Sequence, residues 1–170
     1  RPLQHGDEVQ AVAASSPVID ELNLYQGLEI LKGWGLTCRP QSIQGRHWGY
    51  LAGNDSIRFE ELHPKQATPL LVFARGGWGA ARLLEQHQPW HSGWMVGYSD
   101  VCSLLLSRLS SGFDGGIHGP LLTSLHEEPL WSQERLRSIL FGKPIPDLVG
   151  EAWNKGVATG PLVITNLTVG

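Results

Sequence analysis

The part of the chain that decides the fold is "PLLVFARGGWGAARLL" (Pro69–Leu84), followed shortly by "WMVGYSDVCSLLLSRL" (Trp94–Leu109). In each stretch a short apolar run leads into a glycine-marked turn and then into a leucine-containing segment with helical spacing. A continuous apolar run of this length is typical of a strand that is buried on both faces of a parallel sheet. The repeated order of strand, turn and helix therefore predicts βαβ units.

The rest of the chain continues this alternation. We expect strands within Val9–Val18, Leu36–Gln41, Pro69–Ala74, Trp94–Tyr98 and Gly115–Pro120, and helices within Ile19–Gly35, Gly49–Ala67, Gly79–His87, Asp100–Gly112 and Ser132–Gly142. The predicted fold class is α/β: an open, mostly parallel sheet flanked by helices, as in flavodoxin-like or Rossmann-like layers. We expect residues 1–142 to form this domain, residues 143–157 to form a Pro- and Gly-containing linker, and residues 158–170 to be the first strand of a truncated second domain.

Composition and charge exclude several classes of protein. A length of 170 residues corresponds to about one domain. The formal charge of −3, with scattered Lys and Arg, gives no reason to expect nucleic acid as a partner. No apolar run approaches the roughly 20 residues that a membrane span requires. Cys38 and Cys102 have no metal-ligand spacing and are either two buried thiols or a disulfide. Thiols would fit the reducing cytoplasm, where we expect the protein to be located.

The second turn carries a serine, Ser99, between a strand and a helix. A serine in this position is commonly a helix N-cap. A sharp strand-to-helix turn is also where hydrolases expose a nucleophilic serine, and the next backbone N–H then supplies half of an oxyanion hole. The residues alone leave both interpretations open.

The first turn contains Gly76, Gly77 and Gly79, which allow the backbone to approach a ligand closely or simply to turn tightly. The run from Gly77 begins like the dinucleotide motif G-x-G-x-x-G but ends in Arg82, so a nucleotide-binding domain is the weaker alternative. In a parallel sheet both turns lie beyond the carboxyl ends of their strands, where ligands bind. We therefore hypothesise that Ser99 attacks a carbonyl while N–H groups of the glycine loop and of Asp100 hold the developing oxyanion.

Four segments, in this order and spacing, extend that hypothesis: "GYLAGNDSIRFEEL", "ARGGWGAARLL", "GYSD" and "HGP". In these four segments the chain resembles the LD-carboxypeptidases. These are serine peptidases of bacterial cell-wall recycling and are related to the microcin-immunity peptidases. The resemblance extends from "AASSP" to "GPLVITNLTV", nearly the whole chain. It implies hydrolysis of the amide before a terminal D-alanine in murein tetrapeptide, without a metal or other cofactor.

The resemblance also assigns roles to residues of this sequence. It implies Ser99 as the nucleophile, and it places the loop Arg75–Gly79 at the border of the site. The oxyanion donors would be Gly76 or Gly77 together with Asp100. We expect Arg75 and Trp78 to contact the substrate. Cys102 stands where the family usually has threonine, and Trp78 stands where tyrosine is common.

The family takes its activating Glu and His from a C-terminal domain that would begin near Gly156, so we expect this chain to hold only the nucleophile half of the site. His118 lies at the end of the strand after Ser99's helix and could approach the site. It would contact the substrate, replace the missing base, or bond only to backbone at the strand end.

Two further functions stay open at this stage. The chain could be an inactive domain that binds murein peptides, or a peptidase that cleaves peptide–nucleotide antibiotics. The apolar segment "ATGPLVITNLTV" would be an unpaired strand, and unpaired strands promote association. We therefore predict a homodimer or pairing with a complementing fragment.

Overall fold

The computed structural model describes residues 1–39 and 42–169, and it forms a five-stranded sheet in which every described pairing is parallel. The strands are β1 (Glu8–Val12), β2 (Thr37–Cys38), β3 (Leu70–Phe73), β4 (Trp94–Gly97) and β5 (Gly116–His118). The α-helices are α1 (Glu21–Gly33), α2 (Asp55–Leu62), α3 (Cys102–Ser110) and α4 (Leu130–Leu140). The predicted parallel α/β fold is confirmed.

The strand order β2-β1-β3-β4-β5 is that of the flavodoxin-like layer. The order reverses between β1 and β3, which pair in register from Val9↔Leu70 to Val12↔Phe73. At such a reversal the loops after the two strands diverge to opposite faces of the sheet and leave a crevice between them. The fold therefore places the loops after β1 and β3 side by side at one edge.

Alternate side chains of the buried strands enter two apolar cores, one on each face of the sheet. In β3, Leu70 and Val72 face one core, while Leu71 and Phe73 face the other. The first core is completed by Leu24, Leu28 and Leu31 of α1 and by Leu136 and Leu140 of α4; the second is completed by Leu62 of α2 and by Leu104 and Leu105 of α3. Burial on both faces explains why β3 reads as a continuous apolar run.

The predicted helix Gly79–His87 is shorter and tighter than expected. Only Ala81–Glu85 is helical, as a 3-10 helix. Gly79 has φ +105°, which is not a helical conformation, and Pro89 disfavours helix immediately before it. The Gln88 side chain donates hydrogen bonds to the carbonyls of Leu83 and Gln86, which satisfies acceptors that a longer helix would have used.

The strand predicted over residues 158–170 is not formed in the described part, residues 158–169. A strand needs a neighbouring strand for its backbone hydrogen bonds, and this segment pairs with none of the five strands. The segment is largely exposed, as at Leu162 and Leu167. It contacts the domain at Asn166, whose side-chain oxygen lies 3.4 Å from the thiol of Cys102. Residues 143–157, the predicted linker, contain no helix or strand.

Three further points complete the comparison with the sequence predictions. Pro40 and Gln41, included in the second predicted strand, and Gly170 lie outside the described residues. Cys38 and Cys102 are free thiols rather than a disulfide. In the described part of the chain, no helix is both long enough and apolar enough to cross a bilayer.

Candidate active site

The two glycine-marked turns meet in the folded protein. A methyl group at Gly76 would lie 2.7 Å from Cβ and 2.8 Å from Oγ of Ser99, distances that real Cβ atoms do not tolerate. Gly76 is therefore required because the Ser99 side chain occupies the space above it. The loop after β3 and the loop after β4 form one surface, with the serine hydroxyl at their contact.

Ser99 has a strained backbone. Its φ is +68°, and it is the one residue other than glycine with a positive φ in residues 1–39 and 42–169. For an L-amino acid this left-handed conformation costs about 1–2 kcal/mol. Strain of this kind persists only where surrounding contacts impose it, and such residues cluster at functional sites.

The Ser99 hydroxyl does not act as a helix cap. The 3-10 turn Ser99–Val101, which leads into α3, begins after Tyr98 without a side-chain cap. Within the described chain Ser99 Oγ makes no hydrogen bond, and the residue is only half-buried. The structure thus leaves the hydroxyl free beside the glycine loop, at the crest of a sharp turn.

The carboxylate of Asp100 joins three loops beneath the serine. Its Oδ2 accepts a hydrogen bond from Ser15 Oγ, after β1, at 2.7 Å and another from the backbone N–H of Ala80, after β3, at 2.8 Å. Asp100 itself follows β4. A charged acceptor makes stronger hydrogen bonds than a neutral one, so this carboxylate fixes the three loops relative to each other.

A fully buried arginine, Arg58 of α2, holds the same loops from the other side. Its Nη1 donates to the carbonyls of Ala14 and Gly79, the latter at 2.8 Å, and its Nη2 pairs with Asp55 at 2.6 Å. The Gly79 carbonyl and the Ala80 N–H belong to one peptide group. That peptide therefore receives a hydrogen bond from the Arg58 cation on its oxygen and gives one to the carboxylate of the residue after Ser99.

Ser16 fixes the glycine loop directly. Its N–H donates to the Gly76 carbonyl at 3.3 Å, and its Oγ accepts from the Trp78 N–H at 3.2 Å. Gly77 has φ +112°, and a side chain there would collide with Ser16 Oγ at 2.2 Å. The N–H groups of Gly76 and Gly77 donate to no acceptor in the described residues, and Gly77 is exposed, so its N–H is accessible to an external oxygen atom.

Comparison with known proteins places the chain in a family. Residues 9–119 match the family defined by the LD-carboxypeptidase N-terminal domain. The chain belongs to the LD-carboxypeptidase family. A Synechocystis sp. protein named as a carboxypeptidase is 41% identical, over 99% of this chain and 58% of its own length. A Streptomyces coelicolor protein with the same kind of name is 31% identical, over 99% of this chain and 57% of its own length. The chain therefore spans somewhat more than half the length of these relatives.

Solved structures show the same fold. The microcin C7 self-immunity protein MccF superimposes with a TM-score of 0.70 at 23% identity, over 82% of this chain and 45% of its own. The muramoyltetrapeptide carboxypeptidase of Oxalobacter formigenes superimposes with a TM-score of 0.65 at 19% identity, over 78% and 47%. At these identities the likeness concerns the fold alone.

The other residues predicted for the site lie in the two turns or close to them. Arg75 directs Nη1 to the carbonyl of Pro17 at 2.8 Å and lines an open groove of about 340 Å³ beside Asp20 and Glu127. Trp78 is 75% exposed, so most of its ring faces solvent. His118 is paired in register with Gly97, and its ring centroid lies 6.0 Å from that of Tyr98, the residue before Ser99.

The sequence analysis did not anticipate the supporting residues. Ser15 and Ser16 lie in the segment Val9–Val18, where a strand was predicted, and Arg58 lies in the helix predicted within Gly49–Ala67. The signal that could have found Arg58 is its position four residues before Leu62, which places both residues on the buried face of α2. No described acidic or histidine side chain forms a hydrogen bond with Ser99 Oγ.

Proposed function

We propose that this chain carries the nucleophile half of a serine LD-carboxypeptidase that acts on murein tetrapeptide during cell-wall recycling in the cytoplasm. The observation that carries the proposal is Ser99: a strained residue with a free hydroxyl, packed against a glycine loop with free N–H groups. Membership of the LD-carboxypeptidase family supports the reaction class.

In the proposed reaction, Ser99 Oγ loses its proton to a base and attacks the carbonyl carbon before the terminal D-alanine. The carbonyl oxygen becomes an oxyanion, which the N–H of Gly77 or Gly76 and that of Asp100 would stabilise. Collapse of this intermediate breaks the amide bond, and D-alanine leaves after its nitrogen accepts the proton. Water then hydrolyses the acyl ester on Ser99 and regenerates the hydroxyl.

The proposed base comes from outside the described residues. A serine hydroxyl needs a base within hydrogen-bond reach, and none of the described side chains occupies that place. Since the relatives extend well beyond this chain's length, the resemblance supports a Glu and a His from the additional part. We also propose that the exposed segment near residues 158–169 contacts that part or a second copy of the chain.

Arg75 and Trp78 are proposed to bind the substrate at the rim. A terminal carboxylate is the feature that a carboxypeptidase must recognise, and the Arg75 guanidinium is a cation adjoining the glycine loop. Exposed Trp78 offers an apolar face to the peptide.

The test is release of D-alanine from murein tetrapeptide, measured for this chain alone and for the chain extended by the downstream sequence of its gene. We expect turnover only from the extended form, and its loss in Ser99→Ala. Ser107→Ala, in the middle of α3, is the matched control and should retain activity.

Three other outcomes would change the assigned base, the assigned nucleophile or the proposed activity. Turnover by this chain alone would make His118 the candidate base. Turnover that survives Ser99→Ala would refute the nucleophile assignment. Tight binding of the tetrapeptide without turnover by either form would support a binding domain.

A further inference from the structure

A small cavity lies at the opposite edge of the sheet from Ser99, next to the amino ends of β3 and β4. Its volume is about 20 Å³. The lining includes Leu71 of β3, Met95 of β4, Trp90, and Arg108 from α3. None of these residues belongs to the site described above, so the cavity has to be explained separately.

Two buried donors at this cavity have no partner in the described chain. Trp90 is 7% exposed and Arg108 is 2% exposed, yet Trp90 Nε1 and Arg108 Nη1 form no hydrogen bond. Arg108 uses Nη2 for the carbonyls of His91 and Gly93, at 3.1 and 2.8 Å. A buried donor without an acceptor destabilises the folded state, and a charged donor does so more strongly. Both atoms can only donate, so what satisfies them must be an acceptor.

The charge balance of the cavity favours an anion. No Asp or Glu lines it, whereas the guanidinium of Arg108 does. Within the described residues Arg108 forms no salt bridge. Its guanidinium carbon lies 6.0 Å from the ring centroid of Phe113. Burial lowers the pKa of Arg108, and Asp114 only partly opposes this from outside the lining. A buried guanidinium remains charged and is stable only when compensated.

His63 does not change this balance at neutral pH. Its Nε2 lies 2.9 Å from Gln88 Oε1, and burial lowers its pKa, so the ring is neutral. The ring also packs on Trp90, with centroids 4.9 Å apart, which fixes the orientation of the indole.

The volume limits the occupant to one small particle. A cavity needs about 10–15 Å³ on this measure to hold a single water. Phosphate, sulfate and carboxylates, with several heavy atoms, exceed the space. We propose that the cavity binds one chloride-sized anion between Arg108 Nη1 and Trp90 Nε1. The bound ion neutralises the guanidinium that joins α3 to the loop before β4.

The test is thermal unfolding of the 170-residue protein in sodium chloride and in sodium gluconate, mixed at constant ionic strength. An anion that binds only the folded state raises the unfolding temperature in a saturable way. We expect a rise of roughly 3–6 °C when chloride reaches ten times its dissociation constant. Bromide should act like chloride, since it is also a monatomic halide.

Trp90→Phe is the informative variant, because it keeps the ring that packs on His63 but removes the N–H. It should lose most of the chloride-dependent rise. Trp131→Phe, at a position that is 63% exposed, is the matched control and should respond as the wild type does. Equal unfolding temperatures in the two salts would overturn the proposal and assign a water to the cavity. An equal chloride response in wild type and Trp90→Phe would overturn it as well, because the ion would then act elsewhere. Neither measurement requires peptidase activity.

Discussion

The left-handed backbone of Ser99 predicts that the proposed nucleophile is kept at the expense of stability. Ser99→Gly removes the steric conflict of φ +68°, which is worth about 1–2 kcal/mol. Glycine also gives the unfolded chain more freedom, which costs about 0.5–1 kcal/mol. The hydroxyl forms no hydrogen bond in the described chain, so its removal adds no further cost. Ser99→Ala retains the strain.

We therefore expect Ser99→Gly to be more stable than Ser99→Ala by up to about 1.5 kcal/mol, with a middle value of about 0.75 kcal/mol. For a chain of this size the middle value corresponds to an unfolding temperature higher by roughly 1.5–3 °C. The assay is calorimetric or circular-dichroism unfolding of both variants in one buffer. The control is Ser107→Gly relative to Ser107→Ala inside α3, where glycine should lower stability by about 1 kcal/mol.

The sign of this difference decides the result. Ser99→Gly could instead be less stable than Ser99→Ala, by the same amount that separates Ser107→Gly from Ser107→Ala. In that case the backbone at Ser99 is not strained in solution. The strand-to-helix turn would then have an ordinary conformation, and the main structural support for a nucleophile would be lost.

Three other predictions concern the residues that support the site. Arg58→Met should lower the free energy of unfolding by about 3 kcal/mol in chemical denaturation, because two backbone carbonyls and the partly buried Asp55 carboxylate lose their cation. A loss below about 1 kcal/mol would contradict the bridging role of Arg58. Gly76→Ala should lower the free energy of unfolding by about 1–3 kcal/mol and reduce turnover by the extended form, because the new methyl group would lie 2.7 Å from Ser99 Cβ. An unchanged free energy of unfolding together with unchanged turnover would show that the two turns do not touch. The hydrogen bond from Arg82 and that from Arg58 lower the pKa of Asp55, so its contribution to stability is complete above the ordinary aspartate pKa and is lost as the pH falls through the lowered value. Asp55→Asn should therefore flatten the acid limb of the stability–pH curve, and the exposed control Asp147→Asn should leave that limb unchanged.

The strands and helices could be predicted because their signals are local. The apolar run of β3 and the leucine spacing of α1 depend only on neighbouring residues, and both elements lie where they were expected. The segment Gly79–His87 was predicted as an α-helix from the same kind of signal, but the positive φ of Gly79 and a nearby proline limit it to a 3-10 turn. The segment from residue 158 has strand-like composition, yet composition cannot supply the neighbour that a strand requires.

The sequence by itself determined that the chain is a parallel α/β domain of the LD-carboxypeptidase family, with Ser99 and the glycine loop as the residues of interest. Only the tertiary structure decided how the site is supported. The Asp100 carboxylate receives hydrogen bonds from residues 85 and 20 positions away, and Arg58 reaches a carbonyl 44 positions away. Such contacts depend on which strands are neighbours in the sheet, and local sequence patterns do not specify the order β2-β1-β3-β4-β5. The strain at Ser99 has the same origin, because long-range contacts hold its backbone where local preference would not.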